Sequence, residues 1–323
     1  MNPVHETVAA LRDVFRRNPD KYEAHRKCVP ILEQASRQPE FMTDMLRRYL
    51  EKPQSLNRGN YPAVGIEIDL NPWFGISANC WIPLPDGNTN LSTKAIHHHG
   101  DLLLTTVTLF GPGYEHWTFT TPAESDVNPG VHKMKLLEVG PHPKHHVAFV
   151  DRMIPHTPFF PPKLSITLAL FSSCRPAGWR DRVKRLPGLR GRERQLRQLL
   201  RQIGLTKALD LKIIESHDYY PTAKGFEVMR DRKEFELGPV EDHVASVFHI
   251  LQETGNEQLA PIIRGHLDAG AIREGRAAVE ELLPRLEKSR PISGKLSPGH
   301  YDRPYANFTR EDIQRSVLAS EGI

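Results

Sequence analysis

The sequence predicts a mainly β core with α-helices before and after it. Two runs of apolar, β-favouring residues, at 102–110 and 164–171, predict buried strands. Gly and Pro residues punctuate the interval between these runs, as expected where antiparallel strands are joined by tight turns. Towards both ends of the chain the apolar residues instead recur at helical spacing. The core is therefore expected in the middle of the sequence.

Three helices are expected before the core. Apolar side chains recur at helical spacing in residues 6–17, and again in residues 22–37 and 40–51. Pro30 lies inside the second of these segments, where a proline kinks or splits a helix. Residues 1–60 are accordingly interpreted as an N-terminal helical segment.

The core is expected to begin near Tyr61. Apolar and polar residues alternate at 64–70, which is typical of a half-buried strand. An Asn-Pro pair at 71–72 breaks that strand, and residues 73–81 predict a second one. The polar stretch at 83–92 then predicts a loop.

A histidine triplet stands just before the strand at 102–110. Because side chains alternate between the faces of a strand, His97 and His99 are expected to share one face, and His98 to point to the other. Asp101 follows on the face of the pair. Two neutral imidazoles on one face can bind one metal ion, although such pairs also occur at polar strand ends and in surface clusters.

A second segment strengthens the metal interpretation. Residues 146–154 read as a strand, the chain turns at Pro155, and His156 follows before the strand at 164–171. A histidine pair on one strand, a hairpin-rich interval and a later strand–turn–histidine together resemble the two-motif pattern of cupins. That resemblance implies a cupin-type β-barrel, also called a double-stranded β-helix, at residues 61–174.

The resemblance is strongest to the cysteine dioxygenase, or thiol dioxygenase, branch of the cupins. The Asn-Cys-Trp sequence at 79–81, ahead of the histidine triplet, looks like the first motif of that branch. The Ile-Pro-His sequence at 154–156 looks like the second. The family implies Fe(II) held by three histidines, with O2 as co-substrate. By position these histidines are His97, His99 and His156.

The sequence departs from this family at several positions. The usual cupin glutamate after the histidine pair is absent, and leucines stand there. Thiol dioxygenases also lack this glutamate. The Cys–Tyr crosslink of some members cannot form, because Leu104 and Phe171 occupy the approximate positions. The second motif lacks a Pro-x-Gly before its histidine. A cupin fold is therefore better supported than a thiol substrate.

Two further residues are candidates for catalysis. An arginine near the position of Arg58 holds the substrate carboxylate in thiol dioxygenases, and bidentate pairing suits arginine to that task. Asp101 could orient a ligand histidine or accept a substrate proton. The alternatives are a surface arginine and a strand-surface aspartate.

Other histidines cluster near the two motifs. Glu115 and His116 could reach a metal, but they are expected in a hairpin. The remaining ones are expected on the surface or in loops, with a second metal as the alternative. They are His132, His142, His145 and His146.

Composition restricts the class of protein. The chain has 323 residues, of which 39% are hydrophobic and 25% charged, so a folded core is expected rather than disorder. No apolar run has membrane-spanning length, no signal peptide is expected, and the three cysteines suggest no disulfide framework. The expectation is a cytoplasmic protein that has no membrane partner.

The remaining third of the chain, residues 175–323, carries no recognised motif. Arginines concentrate at 175–201, which indicates either an amphipathic helix with a basic face or a phosphate-binding segment. Strands are expected at 209–215 and 226–235, followed by helices of which the first covers 240–254. We expect this region to pack on the barrel, cap its mouth or form a homodimer.

Three functions remain open at this point. The leading one is a non-heme Fe(II)-dependent oxygenase acting on a small polar metabolite, such as a thiol or an amino-acid derivative. The second is a metal-dependent cupin isomerase or hydrolase. The third is a non-catalytic cupin that binds a ligand and uses the basic segment. The expected partner is a small-molecule substrate, and no aromatic residue after Trp179 interleaves with the arginines to indicate nucleic-acid binding.

Overall fold

The structure is a computed structural model that describes residues 2–57, 63–122, 131–174, 217–228, 239–294 and 308–321. The helices in these residues are α1 (Pro3–Arg17), α2 (Lys21–Ser36), α3 (Pro39–Leu50), α4 (Val240–Glu253), α5 (Ala260–Asp268), α6 (Arg276–Glu287) and α7 (Arg310–Glu321). Short 3-10 turns at Pro53–Leu56 and Glu257–Leu259 join some of them.

The strands form two antiparallel sheets. They are β1 (Ala63–Leu70), β2 (Gly75–Trp81), β3 (Ile96–His97), β4 (Leu102–Phe110), β5 (Tyr114–Phe119), β6 (Val131–His132), β7 (Leu136–His142), β8 (Val147–Val150), β9 (His156–Pro158), β10 (Ser165–Ser173), β11 (Asp218–Thr222) and β12 (Gly225–Val228). One sheet has the order β1-β2-β10-β4-β8, and the other has the order β6-β12-β11-β3-β9-β5-β7. A pocket lies between the two sheets and is lined by strands of both.

This arrangement confirms the predicted fold class, a mainly β, cupin-type barrel with helices before and after it. The three predicted N-terminal helices are present within a few residues of the expected bounds. Asn2 and Asp20 cap the first two, because their side-chain oxygens accept backbone hydrogen bonds from the first turn. Pro30 lies inside α2 without ending it.

The barrel extends beyond residue 174, where the sequence placed its end. The hairpin of β11 and β12 joins the larger sheet by pairing Asp218 with His97 and Phe226 with His132. Local alternation could not reveal this pairing, because it joins strands that are far apart in the sequence. The predicted strand at 209–215 and the basic segment at 175–201 lie outside the described residues.

The C-terminal helices pack against the rest of the fold. Residues of α4, α5 and α6 share one hydrophobic core with the N-terminal helices and the smaller sheet. The last helix begins with a Thr-x-x-Asp sequence whose two residues cap it: Asp312 N donates to Thr309 Oγ1 (3.1 Å), and Thr309 N donates to Asp312 Oδ2 (3.2 Å). In the part of the chain that the structure describes, every helix is too short or too polar to cross a bilayer.

The Gly-Pro-Gly turn between β4 and β5 supplies a stability prediction. Gly111 has φ +79°, and a Cβ atom there would collide with the carbonyl oxygen of Leu164. We expect Gly111→Ala to lower the free energy of unfolding by about 3 kcal/mol, because both strain and a backbone clash are introduced. Urea denaturation measures this change. Gly140→Ala is the matched control, since a Cβ atom there meets nothing within 4 Å; equal losses in the two variants would contradict the prediction.

Candidate metal centre

Three imidazoles converge on one side of the pocket. His97, His99 and His156 each offer a nitrogen, and these nitrogens all lie within 4.8 Å of one another. The Nε2 atoms of His97 and His99 are 3.2 Å apart, and the ring centroids of His97 and His156 are 4.3 Å apart. Among the described residues, this is the group of histidine, cysteine and acidic side chains whose geometry could hold a metal ion.

The sheet and a glycine turn bring the three rings together. His97 and His156 are directly opposite each other in the pairing of β3 with β9. Strand β3 ends at His97, and Gly100 has φ +59°, a conformation that glycine adopts without strain. The expectation of a regular strand through Gly100 is therefore wrong. The ring of His99 nevertheless meets the ring of His97 edge to face, with centroids 4.6 Å apart.

The hydrogen bonds of two of these rings fix their tautomers. Nδ1 of His97 lies 3.2 Å from the carbonyl oxygen of Ala95, and Nδ1 of His156 lies 3.1 Å from that of Ile154. A carbonyl oxygen only accepts, so each Nδ1 carries the hydrogen and donates. Each Nε2 therefore holds its lone pair in the plane of the ring, as a metal ligand requires.

The charge state of the three rings also fits a metal ion. Burial holds the pKa of His97 and of His156 well below the usual value of 6.5, and it lowers the pKa of His99 to about 3. The neighbouring Lys94 ammonium lowers all three pKa values further. The imidazoles are therefore neutral near pH 7. Three neutral nitrogen donors suit a first-row transition metal such as iron or zinc.

The adjoining cavity has a volume of about 350 Å³. Its apolar lining residues are Leu102, Leu104, Val150, Pro158, Ala169 and Phe171. Its lining residues with hydrogen-bonding groups include Ser77, Asn79, Trp81, Thr106, Tyr114 and Thr167. Lys94 and His116 stand with His99 and His156 in the lining. Leu104 and Phe171, which replace the crosslinking pair of some thiol dioxygenases, are opposite each other in the pairing of β4 with β10.

Three pocket residues were missed or misplaced by sequence reasoning. Lys94 lines the pocket, and burial lowers its pKa to about 8 although the Asp218 carboxylate raises it. His116 was expected in a hairpin, but it lies in β5 with its ring centroid 5.3 Å from that of His156. Tyr114 shares the inner face of β5 with it. The available sequence signal for Lys94 was the position of this lysine just before the buried residues Ala95 and Ile96.

The other candidate residues have different positions. His98 faces away from the group, accepts a hydrogen bond from Gly100 N (3.0 Å), and packs against His217. Asp101 is buried after the glycine turn and is not part of the pocket lining, so its catalytic role stays a prediction. Arg58 lies outside the described residues. Glu115 pairs with Arg310 at 3.0 Å instead of reaching the pocket.

The fold and the site together define the class of protein: a cupin-type β-barrel with a three-histidine group, able to hold a metal ion, beside an internal pocket.

No protein-family model and no curated protein matches the chain. Partly similar solved structures include DMSP lyases, with 10% identity over 34% of this chain and 46% of that chain and a TM-score of 0.22. An oxalate oxidase has 16% identity over 37% of this chain and 57% of its own, with a TM-score of 0.24. The oxalate decarboxylase of Lactobacillus farciminis has 10% identity over 48% of this chain and 40% of its own, with a TM-score of 0.24. Each match spans only about half of the other protein. Because these TM-scores lie below 0.5, the similarities support no conclusion about activity.

Proposed function

We propose that the protein is a non-heme Fe(II)-dependent oxygenase that acts on a small carboxylate-bearing metabolite, such as an amino-acid derivative or a thiol acid. The observation that carries the proposal is the convergence of three neutral imidazoles on a pocket whose lining also includes the side chain of Lys94. His97, His99 and His156 would hold the metal through their outward lone pairs. Bound iron would supply the activation of O2 next to the substrate.

The protein's own residues would orient the substrate. Lys94 is part of the pocket lining, and its ammonium group can pair with a carboxylate. Asn79 and Ser77 add hydrogen-bonding groups to the pocket lining, while Leu104 and Phe171 offer an apolar surface to the rest of the molecule. A pocket of this size and composition fits a small amphipathic acid.

The same three histidine nitrogens also support an alternative function that does not use O2. Three histidines with an open position are also the ligand set of zinc sites that activate water. A metal-dependent isomerase or hydrolase is therefore the second candidate function. The identity of the bound metal and the need for O2 distinguish the two.

Oxygen consumption tests the leading proposal. Protein loaded anaerobically with Fe(II) should consume O2 when mixed with one or more members of a panel of small thiols, amino acids and their derivatives. His97→Ala, loaded in the same way, should not, because it lacks one of the three nitrogens. An iron-loaded protein that consumes no O2 with the panel, combined with hydrolysis or isomerisation by the zinc-loaded protein, would favour the second candidate.

A further inference from the structure

Arg310, the first residue of α7, contacts three separate segments of the barrel. Its Nε and Nη2 atoms donate to Oε1 and Oε2 of Glu115 at 3.0 and 3.2 Å. Its Nη1 atom donates to the carbonyl oxygen of Thr89 at 2.6 Å and to Oδ1 of Asn90 at 3.2 Å. The guanidinium carbon lies 4.3 Å from the ring centroid of Phe159. The arginine side chain is only 21% exposed, so these contacts are largely shielded from solvent.

Each of the three segments carries pocket-lining residues. Residues 89–94 carry Lys94, β5 carries Tyr114 and His116, and residues 156–160 carry His156 and Pro158. Because side chains alternate between the faces of a strand, Glu115 faces away from the pocket that its two neighbours on β5 line. Arg310 therefore contacts these segments from outside the pocket.

Backbone hydrogen bonds join the same three segments to one another. They run from Thr93 N to the carbonyl oxygen of Pro158 (2.8 Å), from Phe159 N to that of Glu115 (2.9 Å) and from Phe160 N to that of Leu91 (2.9 Å). The Thr157 hydroxyl donates to the carbonyl oxygen of Lys94 at 3.1 Å, which ties the pocket lysine to the segment of His156. The position of the lysine beside the metal-binding group therefore depends on how these segments are held together.

The position of Arg310 is itself fixed by its neighbours in the chain. Phe308 N donates to Oγ of Ser92 at 2.8 Å, and Ser92 N donates to the carbonyl oxygen of Phe308 at 2.8 Å. Ile313, one turn further along α7, is buried in a cluster that also contains Ile96. The guanidinium group thus extends from an anchored helix.

We propose that Arg310 is a positioning residue, which holds these three segments together and thereby places the Lys94 ammonium beside the metal-binding group. It acts through Glu115, the loop at Thr89 and Asn90, and Phe159, and it is not part of the pocket lining. A planar guanidinium suits this task, because it bonds several acceptors at once in a fixed geometry. The inference deepens the proposed function and rests on it, since an anionic substrate has to reach the lysine and the metal together.

Amide hydrogen exchange of the full chain tests the positioning without a metal or a substrate. We expect Arg310→Met to raise exchange at Thr93, Phe159 and Phe160 by roughly 10-fold, the effect of losing one charge-assisted hydrogen bond. Amides that pair β2 with β10 in the smaller sheet should not change. Equal exchange in Arg310→Met and the unmodified protein, or an equal rise in both sheets, would overturn the proposal.

Carboxylate binding reports whether the positioning extends to Lys94. Acetate, followed by Trp81 fluorescence at constant metal content, should bind Arg310→Met about 10-fold more weakly than the unmodified protein. Arg310→Lys should show a smaller loss, because it keeps a positive charge beside Glu115 but cannot reproduce all of the arginine's bonds. This variant also keeps the test informative if Arg310→Met does not fold.

The acetate titrations separate failure of this inference from failure of the proposed function. Unchanged acetate affinity in Arg310→Met, together with a loss in Lys94→Met, would refute the positioning role. An unmodified protein that binds no carboxylate would instead contradict the proposed function. Amide exchange would then decide alone whether Arg310 holds the three segments together.

Ile313→Val and Arg315→Met are the matched controls on the same helix. Ile313→Val weakens the packing of α7 without changing the contacts of Arg310. Arg315 pairs with Asp312 at 3.8 Å, and its side chain is 68% exposed. Both variants should bind acetate as the unmodified protein does. If Ile313→Val lost as much acetate affinity as Arg310→Met, the effect would reflect general loss of stability, and the positioning role would be wrong.

Discussion

Replacing His97 with Ala is expected to abolish metal binding, whereas replacing His98 with Asn leaves it unchanged. His97 supplies one of three converging nitrogens, while the ring of His98 points away and packs against His217 and Tyr219. Losing a direct ligand should lower metal affinity by more than about 100-fold, the upper range for an outer-shell partner. Asparagine at 98 can still accept the hydrogen bond from Gly100 N.

Metal analysis after anaerobic loading with Fe(II) measures the difference directly. Thermal unfolding gives an independent readout, because a metal at 100 times its Kd should stabilise a binding-competent variant by about 2.7 kcal/mol. His99→Ala and His156→Ala should behave as His97→Ala does. Loss of metal from His98→Asn, with retention in His97→Ala, would show that the converging rings are not the site.

Replacing Lys94 with Met is expected to weaken the binding of small carboxylates by roughly 10- to 100-fold, which corresponds to the loss of one charge-assisted hydrogen bond. Methionine keeps the length and apolar character of the side chain, so the change is mainly one of charge. Lys94→Arg should retain most of the affinity. Acetate and propionate are suitable probes, with the corresponding amides as neutral controls.

Quenching of the fluorescence of Trp81, which lines the same pocket, provides a binding signal. Wild-type protein and both variants should be titrated at the same metal content, since a carboxylate can also bind a metal ion. The prediction requires that carboxylates bind the wild-type protein more tightly than amides do. Equal affinities of Lys94→Met and the wild-type protein for the carboxylates would refute a role for Lys94 in substrate binding.

The sequence was sufficient to predict the three converging histidines, because two short motifs that resemble those of cupins identify them. It could not predict the path between His97 and His99, because the turn at Gly100 interrupts the strand on which the alternation depended. The pair converges in spite of that turn. Asp101 was assigned to the metal face by the same alternation, and the structure places it outside the pocket lining.

Other pocket residues were less predictable for a different reason. Tyr114 and His116 lie on β5, which comes beside the metal-binding group by pairing with β9, and no periodicity within a single strand reports that pairing. Lys94 was overlooked because it is charged, and charged side chains are usually exposed. His142 was expected on the surface or in a loop, but it lies opposite Tyr114 in the pairing of β5 with β7 and is buried.

The pairing of β11 with β3 has a consequence for how the molecule folds. The strand that carries His97 gains one of its two neighbours from residues 218–228, which follow it at a large distance in sequence. Contacts of high sequence separation form slowly, since the chain entropy of a long loop is lost before the contact contributes. During synthesis, the ribosome must therefore release this hairpin before β3 is paired on both edges. Until then β3 is an open strand edge, which favours pairing with other chains.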